Sequence, residues 1–373
     1  MLDFWGMLLG GIVLFWLWMY ITRWYRILDK PWKDVPKRKP VPTLQGVTLI
    51  ASFFALGYVR YPQYMTFSFA NPFFWLLLGG LLIAALSFID ELWLILDKRF
   101  RVSAGVRLFG HVVAALIAFY VSWVGITHFQ LPWGVMLEFG LFSILLLTVA
   151  WYLMFVNAIN WFDGVYGLAS WLSSIGFFTI VLLIELVVFA QYPDMSSQRA
   201  LLLEWVSSMG MLLGSLSLIA LAMEWKPFWL LRDVGTMFLG FSLAYLALLW
   251  WAKIGIMIVV LALPLFDAVR VIIDRLHRRK KHPFKWDYSH LHYRLLALWR
   301  NRNEVRVVLL WLSVCMLILM LLLDDDRMAK VIVFALVACI FFGVNGYMYR
   351  IKWLDVEYAP NKIKKLKKAH KKK

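Results

Sequence analysis

The chain has 373 residues, of which 62% are hydrophobic and only 16% charged, against roughly 45–50% and 25% in ordinary globular proteins. A water-soluble fold cannot bury that much apolar surface, so the solvent of this protein is lipid. The formal net charge is +17, and the C-terminal basic run KIKKLKKAHKKK has no aromatic interleaving to support a nucleic-acid role.

Taken in chain order, apolar runs near the ~20 residues needed to cross a ~30 Å hydrocarbon core predict helices at 4–23, 44–59, 72–90, 108–125, 137–156, 168–190, 201–223, 235–252, 254–271, 306–323 and 331–349. The fold class is therefore all-α, a polytopic integral membrane helix bundle of about eleven transmembrane helices. The first run has no basic region before it and no small-residue cleavage site, so it reads as a retained helix. The 21 Trp fit an aromatic belt at the headgroups, with several packed inside. Cys315 and Cys339 fall in apolar runs and read as small buried hydrophobes.

Charge sets the expected orientation. All but five of the 39 Lys and Arg (Arg60, Arg199, Lys253, Arg327 and Lys330) lie on one side of this map. By the positive-inside rule the N-terminus is outside and the C-terminus cytoplasmic. The expected organisation is one transmembrane domain over 1–349, including an inner loop at 272–305, followed by a basic cytoplasmic tail at 350–373 that anionic lipid would hold.

Acidic side chains at membrane depth are expensive and functional by default. Asp90 and Glu91 end the third helix, Asp163 follows the fifth, Asp233 precedes the eighth and Asp267 lies in the ninth. All map to the inner half or inner mouth. Asp90 and Glu91 are consecutive, so they do not share a helix face and have different jobs. Asn157 and Asn160 stand three apart, with Asp163 three further on, giving amide and carboxylate oxygens on one face. Such ligands suit Mg²⁺ or Mn²⁺, which keeps waters and takes phosphate oxygens from a substrate. Gly164 and Gly167 allow a ligand close to the backbone. In the inner loop, Ser289 is an expected N-cap of a helix carrying His290, His292 and Arg294. His at i and i+2 cannot jointly grip a metal from one helical face, and these groups are better placed as donors to phosphate oxygens. The basic run Arg278 to Lys281 reads as a lipid-surface patch. Acids, a divalent cation and cationic donors at one face suit transfer at a phosphate or diphosphate. A transporter would place its polar groups nearer the midplane.

Five segments then carry a resemblance. DKPWKDVPKRKPVPTLQG, SFIDEL, NAINWFDGVYGLAS, RDVGTMFLGF and PFKWDYSHLHYRLL are similar, in order, to motifs of the polyprenyl-phosphate N-acetylhexosamine-1-phosphate transferases. The last resembles the His-x-His-His-Arg-Leu-Leu element of the N-acetylglucosamine branch. The resemblance implies a plasma (inner) membrane enzyme whose active site faces the cytoplasm. In the family a membrane polyprenyl phosphate attacks the β-phosphate of a UDP-sugar and UMP is released, with Mg²⁺ as cofactor; the products serve cell-envelope polysaccharides. It implies catalytic roles for Asp90, Glu91 and Asp163, with Asp90 on the lipid phosphate, and assigns Asn160 and Asp233 to the metal. Asn157 would shape the site and Gly164 lie near uridine. His290, His292 and Arg294 would hold the diphosphate, and Lys39 and Thr43 the lipid phosphate. A homodimer is the assembly found in many members.

The sequence departs from the family pattern at five places. Glu91 stands for the second Asp of its motif, Tyr166 for an Asp or Asn at the uracil position, Arg232 for Gly before the metal Asp, Leu230 for a stacking aromatic beside Trp229, and Tyr293 for His. Tyr166 or Trp229 is the expected replacement for base stacking. A non-catalytic relative that binds polyprenyl phosphate is the competing reading.

Overall fold

The computed structural model describes residues 2–29, 41–96, 102–122, 125–130, 133–192, 194–226, 230–249, 254–280, 289–299, 301–323 and 327–350. Lys39, Trp229 and the basic tail fall outside the described residues.

Each predicted span overlaps a helix, although the fifth starts in a short strand and its helix begins at Leu141. The helices are α1 (Leu2–Trp24), α2 (Gln45–Arg60), α3 (Pro72–Leu96), α4 (Ala104–Ser122), α5 (Leu141–Trp161), α6 (Leu168–Leu183), α7 (Ser197–Trp225), α8 (Arg232–Leu249), α9 (Ile254–Val260) and α10 (Ala262–Ile273), then α11 (Leu291–Trp299), α12 (Arg302–Leu322) and α13 (Arg327–Arg350). Helix α6 runs on through a π-helical turn, Ile184–Val188, to Gln191. Among the described residues eight helices are long and apolar enough to cross a membrane. The shorter α2 and α4 and the α9–α10 pair complete the bundle. Leu261 interrupts that pair with φ −100° and ψ 20°, three residues before Pro264, whose ring and missing N–H disfavour an unbroken helix. Two short antiparallel ribbons, Leu28–Asp29 with Val41–Pro42 and His128–Gln130 with Met136–Glu138, are the strands among the described residues.

Helix α8 is the hub. From Val234 to Leu249 every residue is buried, and it packs against α2, α3, α5 and α6. Gly46 of α2 meets Gly235 of α8 backbone to backbone, with no room for a Cβ on either side. Polar ties fix the neighbours: Trp151 Nε1 donates to Ala244 C=O at 3.1 Å, and Tyr245 OH to Pro72 C=O at 3.0 Å. In lipid no water competes for these groups, so each pairing is obligatory.

The peripheral helices α1, α12 and α13 turn much of their apolar surface outward, including Trp5, Trp16, Trp24 and Trp311, whereas Trp75, Trp151 and Trp205 are buried. Cys315 and Cys339 are exposed, which corrects the expectation of burial. Their helices lie at the bundle's edge, where lipid replaces protein as the apolar surroundings.

Candidate active site

The ends of α3, α5, α7, α8 and α10, the start of α4, and α11 meet at one end of the bundle. Helix α3 delivers Asp90 and Glu91 to different partners, as their adjacency requires. Asp90, 2% exposed, accepts from the Val102 N–H at 2.7 Å, and its Oδ2 lies 3.8 Å from Arg107 Nη1. Glu91 Oε1 accepts from the Val234 N–H at 3.1 Å, so a carboxylate from α3 satisfies an orphan donor in the first turn of α8. Its Oε2 is buried without a hydrogen-bond partner.

Asp233, in that same first turn, is one-third exposed. It accepts from Arg107 Nη1 at 3.1 Å on Oδ2 and from Asn160 Nδ2 at 3.1 Å on Oδ1. The Asn160 amide also donates to Thr236 Oγ1 at 2.9 Å. Asn157 donates back to Leu153 C=O in its own helix at 2.7 Å. Helix α5 stops at Trp161, so Asp163 sits on the 3-10 turn Phe162–Gly164, one step beyond the helical face the spacing implied. Its Oδ1 is buried and unpartnered. Gly167 follows with φ +85° and lets the chain turn into α6.

Arg232, which stands where the family pattern has Gly, adopts φ 58°, a left-handed conformation that costs most L-residues ~1 kcal/mol or more. Its charge lies within electrostatic reach of Glu91 and Asp163. Glu224, fully buried at the end of α7, accepts from Ser170 Oγ at 2.6 Å and the Leu231 N–H at 2.9 Å.

The histidines come from the opposite side. His290 Nδ1 lies 2.9 Å from Asp267 Oδ2 and its Nε2 3.4 Å from Arg275 Nη2. His292 stacks parallel to it, centroids 5.8 Å apart and planes 7° apart. The i, i+2 spacing permits this because His290 precedes the first residue of α11. Asp267 Oδ1 caps the start of α11 by accepting the Leu291 N–H at 3.0 Å. His292 is wedged between Phe162 and Tyr293, and a side chain on Gly164 would collide with its Nε2. Neither ring nitrogen has a hydrogen-bond partner. Burial, reinforced by His290, pushes its pKa down to about 3, so the ring is neutral. Buried polar atoms without partners are rare in native folds. Here Glu91 Oε2, Asp163 Oδ1 and both His292 nitrogens all occur at this end.

The structure brings together Asp90, Glu91, Asn157, Asn160, Asp163, Gly164, Asp233, His290 and His292. Three expected residues, Arg294, Tyr166 and Thr43, make contacts elsewhere. Arg294 donates to Asn345 of α13 at 3.0 Å. The Tyr166 ring lies under the Arg302 guanidinium, 5.4 Å from centroid, and Leu230 is buried. Thr43 is buried beside the Leu28–Pro42 ribbon, donating its N–H to Ile27 C=O at 3.3 Å. Sequence reading missed Arg107, Arg275 and Glu224. Each looked like an ordinary charge at a helix end, and Asp267, noted as an acid, was not paired with His290.

Asn160, Asp233 and the unpartnered Asp163 Oδ1 make an all-oxygen donor set in an acid-rich mouth, which fits a hard divalent cation. Among the described residues no group of three or more His, Cys, Asp or Glu is placed to hold a metal ion.

Fold and site thus define a multi-pass membrane protein with a polar site at one end of an all-α bundle. Residues 73–251 match the family model described as glycosyl transferase family 4. It is 31% identical over 226 residues to the probable undecaprenyl-phosphate N-acetylglucosaminyl 1-phosphate transferase of Bacillus subtilis (strain 168). The match covers 58% of this chain and 58% of that relative's length.

Proposed function

We propose that this protein transfers an N-acetylhexosamine 1-phosphate, specifically GlcNAc-1-phosphate, from its UDP-sugar to a membrane polyprenyl phosphate. A lipid phosphate oxygen attacks the β-phosphorus, the bond to the α-phosphate oxygen breaks, and UMP leaves with that electron pair. The observation that carries this reading is Arg107 shared between Asp90 and Asp233, with Asn160 on the far side of Asp233 and His292 facing Gly164. One cation among these acids marks a place where the charge of two phosphates and a metal is exchanged.

In this reading Asp90 receives the lipid phosphate and its proton, and Glu91 holds the first turn of α8 in place. Asn160 and Asp233 would hold Mg²⁺ or Mn²⁺, assisted by Asp163, and the cation would supply charge neutralisation to diphosphate oxygens. His292, neutral and unpartnered, donates to a diphosphate oxygen. Arg294 serves to anchor α11 to α13. The site faces the cytoplasm of the plasma membrane, where UDP-sugars are found, and the product feeds cell-envelope polysaccharide synthesis.

The test is UMP release from UDP-N-acetylglucosamine by detergent-purified protein with Mg²⁺ and undecaprenyl phosphate. Release that requires lipid and metal and disappears in Asp233→Ala is the expected result. No release from any UDP-sugar would favour the non-catalytic lipid-phosphate binder, for which Arg232 and the occupied Tyr166 ring are the supporting features.

A further inference from the structure

Asp267 is fully buried in α10, outside the acid cluster of α3, α5 and α8, and all its acceptor capacity is used. Its Oδ1 accepts from Arg270 Nη2 at 2.7 Å, Arg270 Nε at 3.1 Å and the Leu291 N–H at 3.0 Å. Its Oδ2 faces His290 Nδ1 at 2.9 Å. Arg270 Nη2 also donates to Ser289 C=O at 2.6 Å. Asp267 thus holds the chain after His290 and binds its ring, while its partner Arg270 holds the chain before it.

We infer that Asp267 is a positioning residue that fixes His290 as the Nδ1–H tautomer and sets the pose of the paired histidines. The inference rests on the transferase reading only for its kinetic consequence. An ionised carboxylate has no proton to give, so His290 Nδ1 must carry the hydrogen. Nε2 is then an acceptor, and its neighbour is a donor, the Arg275 guanidinium. Arg275 in turn stacks over Trp161, 5.4 Å from the ring centroid, next to the Asn160 that faces Asp233. Trp161 also packs on the His290 ring at 5.4 Å. The second nitrogen of a histidine is set by the bond the first one makes, so Asp267 orients a cation two residues removed from itself.

Asp267→Asn tests this because its amide has only one way to sit. Three donors converge on Oδ1, so the amide oxygen must stay there and the NH₂ must face His290 Nδ1. That forces the hydrogen onto Nε2, where it opposes the Arg275 donor. Protein labelled with ¹⁵N-histidine contains seven His, and the His290 signals are assigned by their loss in His290→Gln. The expected result is an Nδ1–H pattern in the wild type and an Nε2–H pattern in Asp267→Asn. The same tautomer in both overturns the inference, whether or not the protein turns out to be a transferase.

The kinetic arm is a double-mutant cycle on UMP release. Losing a group that orients a functional histidine typically costs 10–100-fold, and Asp267→Asn is expected to lower kcat/KM by about that much, chiefly through kcat. If Asp267 acts through His290, adding Asp267→Asn to His290→Gln costs nothing more; additive losses overturn the inference. Absence of transfer in the wild type would instead count against the function proposed above and leave the tautomer measurement to decide this one. Should Asp267→Asn not yield monodisperse protein, Asp267→Asn/Arg270→Gln removes the buried charge pair as a unit. It retains the Leu291 cap and goes through the same two measurements.

Discussion

Nη1 of Arg107 donates to Oδ2 of Asp233 at 3.1 Å, joining the start of α4 to the first turn of α8 across the site, and the same nitrogen lies 3.8 Å from Asp90 Oδ2. Arg107 is about a quarter exposed and Asp233 a third, so solvent screens the pair and its worth to stability is under ~1 kcal/mol. Under the proposed function, its value lies in holding Asp90, assigned to the lipid phosphate, and Asp233, assigned to the metal, at a common cation.

Arg107→Met is therefore expected to leave the thermal midpoint within a few degrees of wild type while lowering transfer about 100-fold or more, the usual scale for losing one preorganised charge partner. Arg107→Lys, which keeps the charge but not the planar fork, should fall between. UMP release and thermal unfolding in the same detergent check both halves. A large stability loss without an activity loss would show the residue to be structural.

His292 pairs a stability cost with a functional benefit. Its unpartnered nitrogens are buried among Phe162, Tyr293 and Gly164, so His292→Leu should be as stable as wild type or more so, while transfer is lost. The pH dependence has a definite sign. The pKa is lowered in the fold to about 3 from 6.5, so the unfolded chain binds the proton first. The stability that this residue contributes is present above pH 6.5 and is lost as pH falls towards 3. His292→Leu should show a shallower fall in thermal midpoint over that range. An identical slope in both proteins would refute the buried neutral ring.

The helices were legible because lipid imposes a single rule, some twenty apolar residues per crossing, and Asp90, Asp233, Asn160 and the histidines stood out against that background. What could not be read was pairing. Nothing in the sequence says that Arg107, one charge of an apparently ordinary basic loop, reaches Asp233 rather than a headgroup. Nor does it say that Arg294, adjacent in motif to the histidines, turns to Asn345 on the last helix. The Arg302 guanidinium over the Tyr166 ring was not legible either, because a cation–π contact between a turn and α12 depends on packing that no local pattern encodes. Asp267 was visible as an acid in an apolar helix, but its partner lies 23 residues away.

Glu224 was missed for the same reason and carries its own prediction. It ties Ser170 of α6 and the Leu231 N–H ahead of α8 to the end of α7. Glu224→Gln keeps an acceptor for Leu231 and a group for Ser170, and should retain most stability and activity. Glu224→Ala strands a buried donor and opens a void, and should cost about 3 kcal/mol or more. Thermal unfolding of the two variants side by side gives the answer, and equal midpoints would mean the carboxylate bears no structural load.

The last prediction concerns Arg232, the bulkiest departure from the family pattern. Its φ of 58° is the conformation that glycine adopts freely and asparagine tolerates, at the residue immediately before Asp233. Two effects of the side chain can be separated. Arg232→Gly and Arg232→Asn both relieve the backbone and should raise the thermal midpoint, by about 1 kcal/mol of stability for Gly. Arg232→Ala removes the charge without relieving φ and should gain nothing. If the charge near Glu91 and Asp163 contributes to turnover, all three variants lose activity equally while only two gain stability. If the strained backbone is what sets Asp233, Arg232→Ala keeps its activity and the glycine variant changes. Gains in stability that failed to track the left-handed preference would show that Arg232 is not strained in the folded protein.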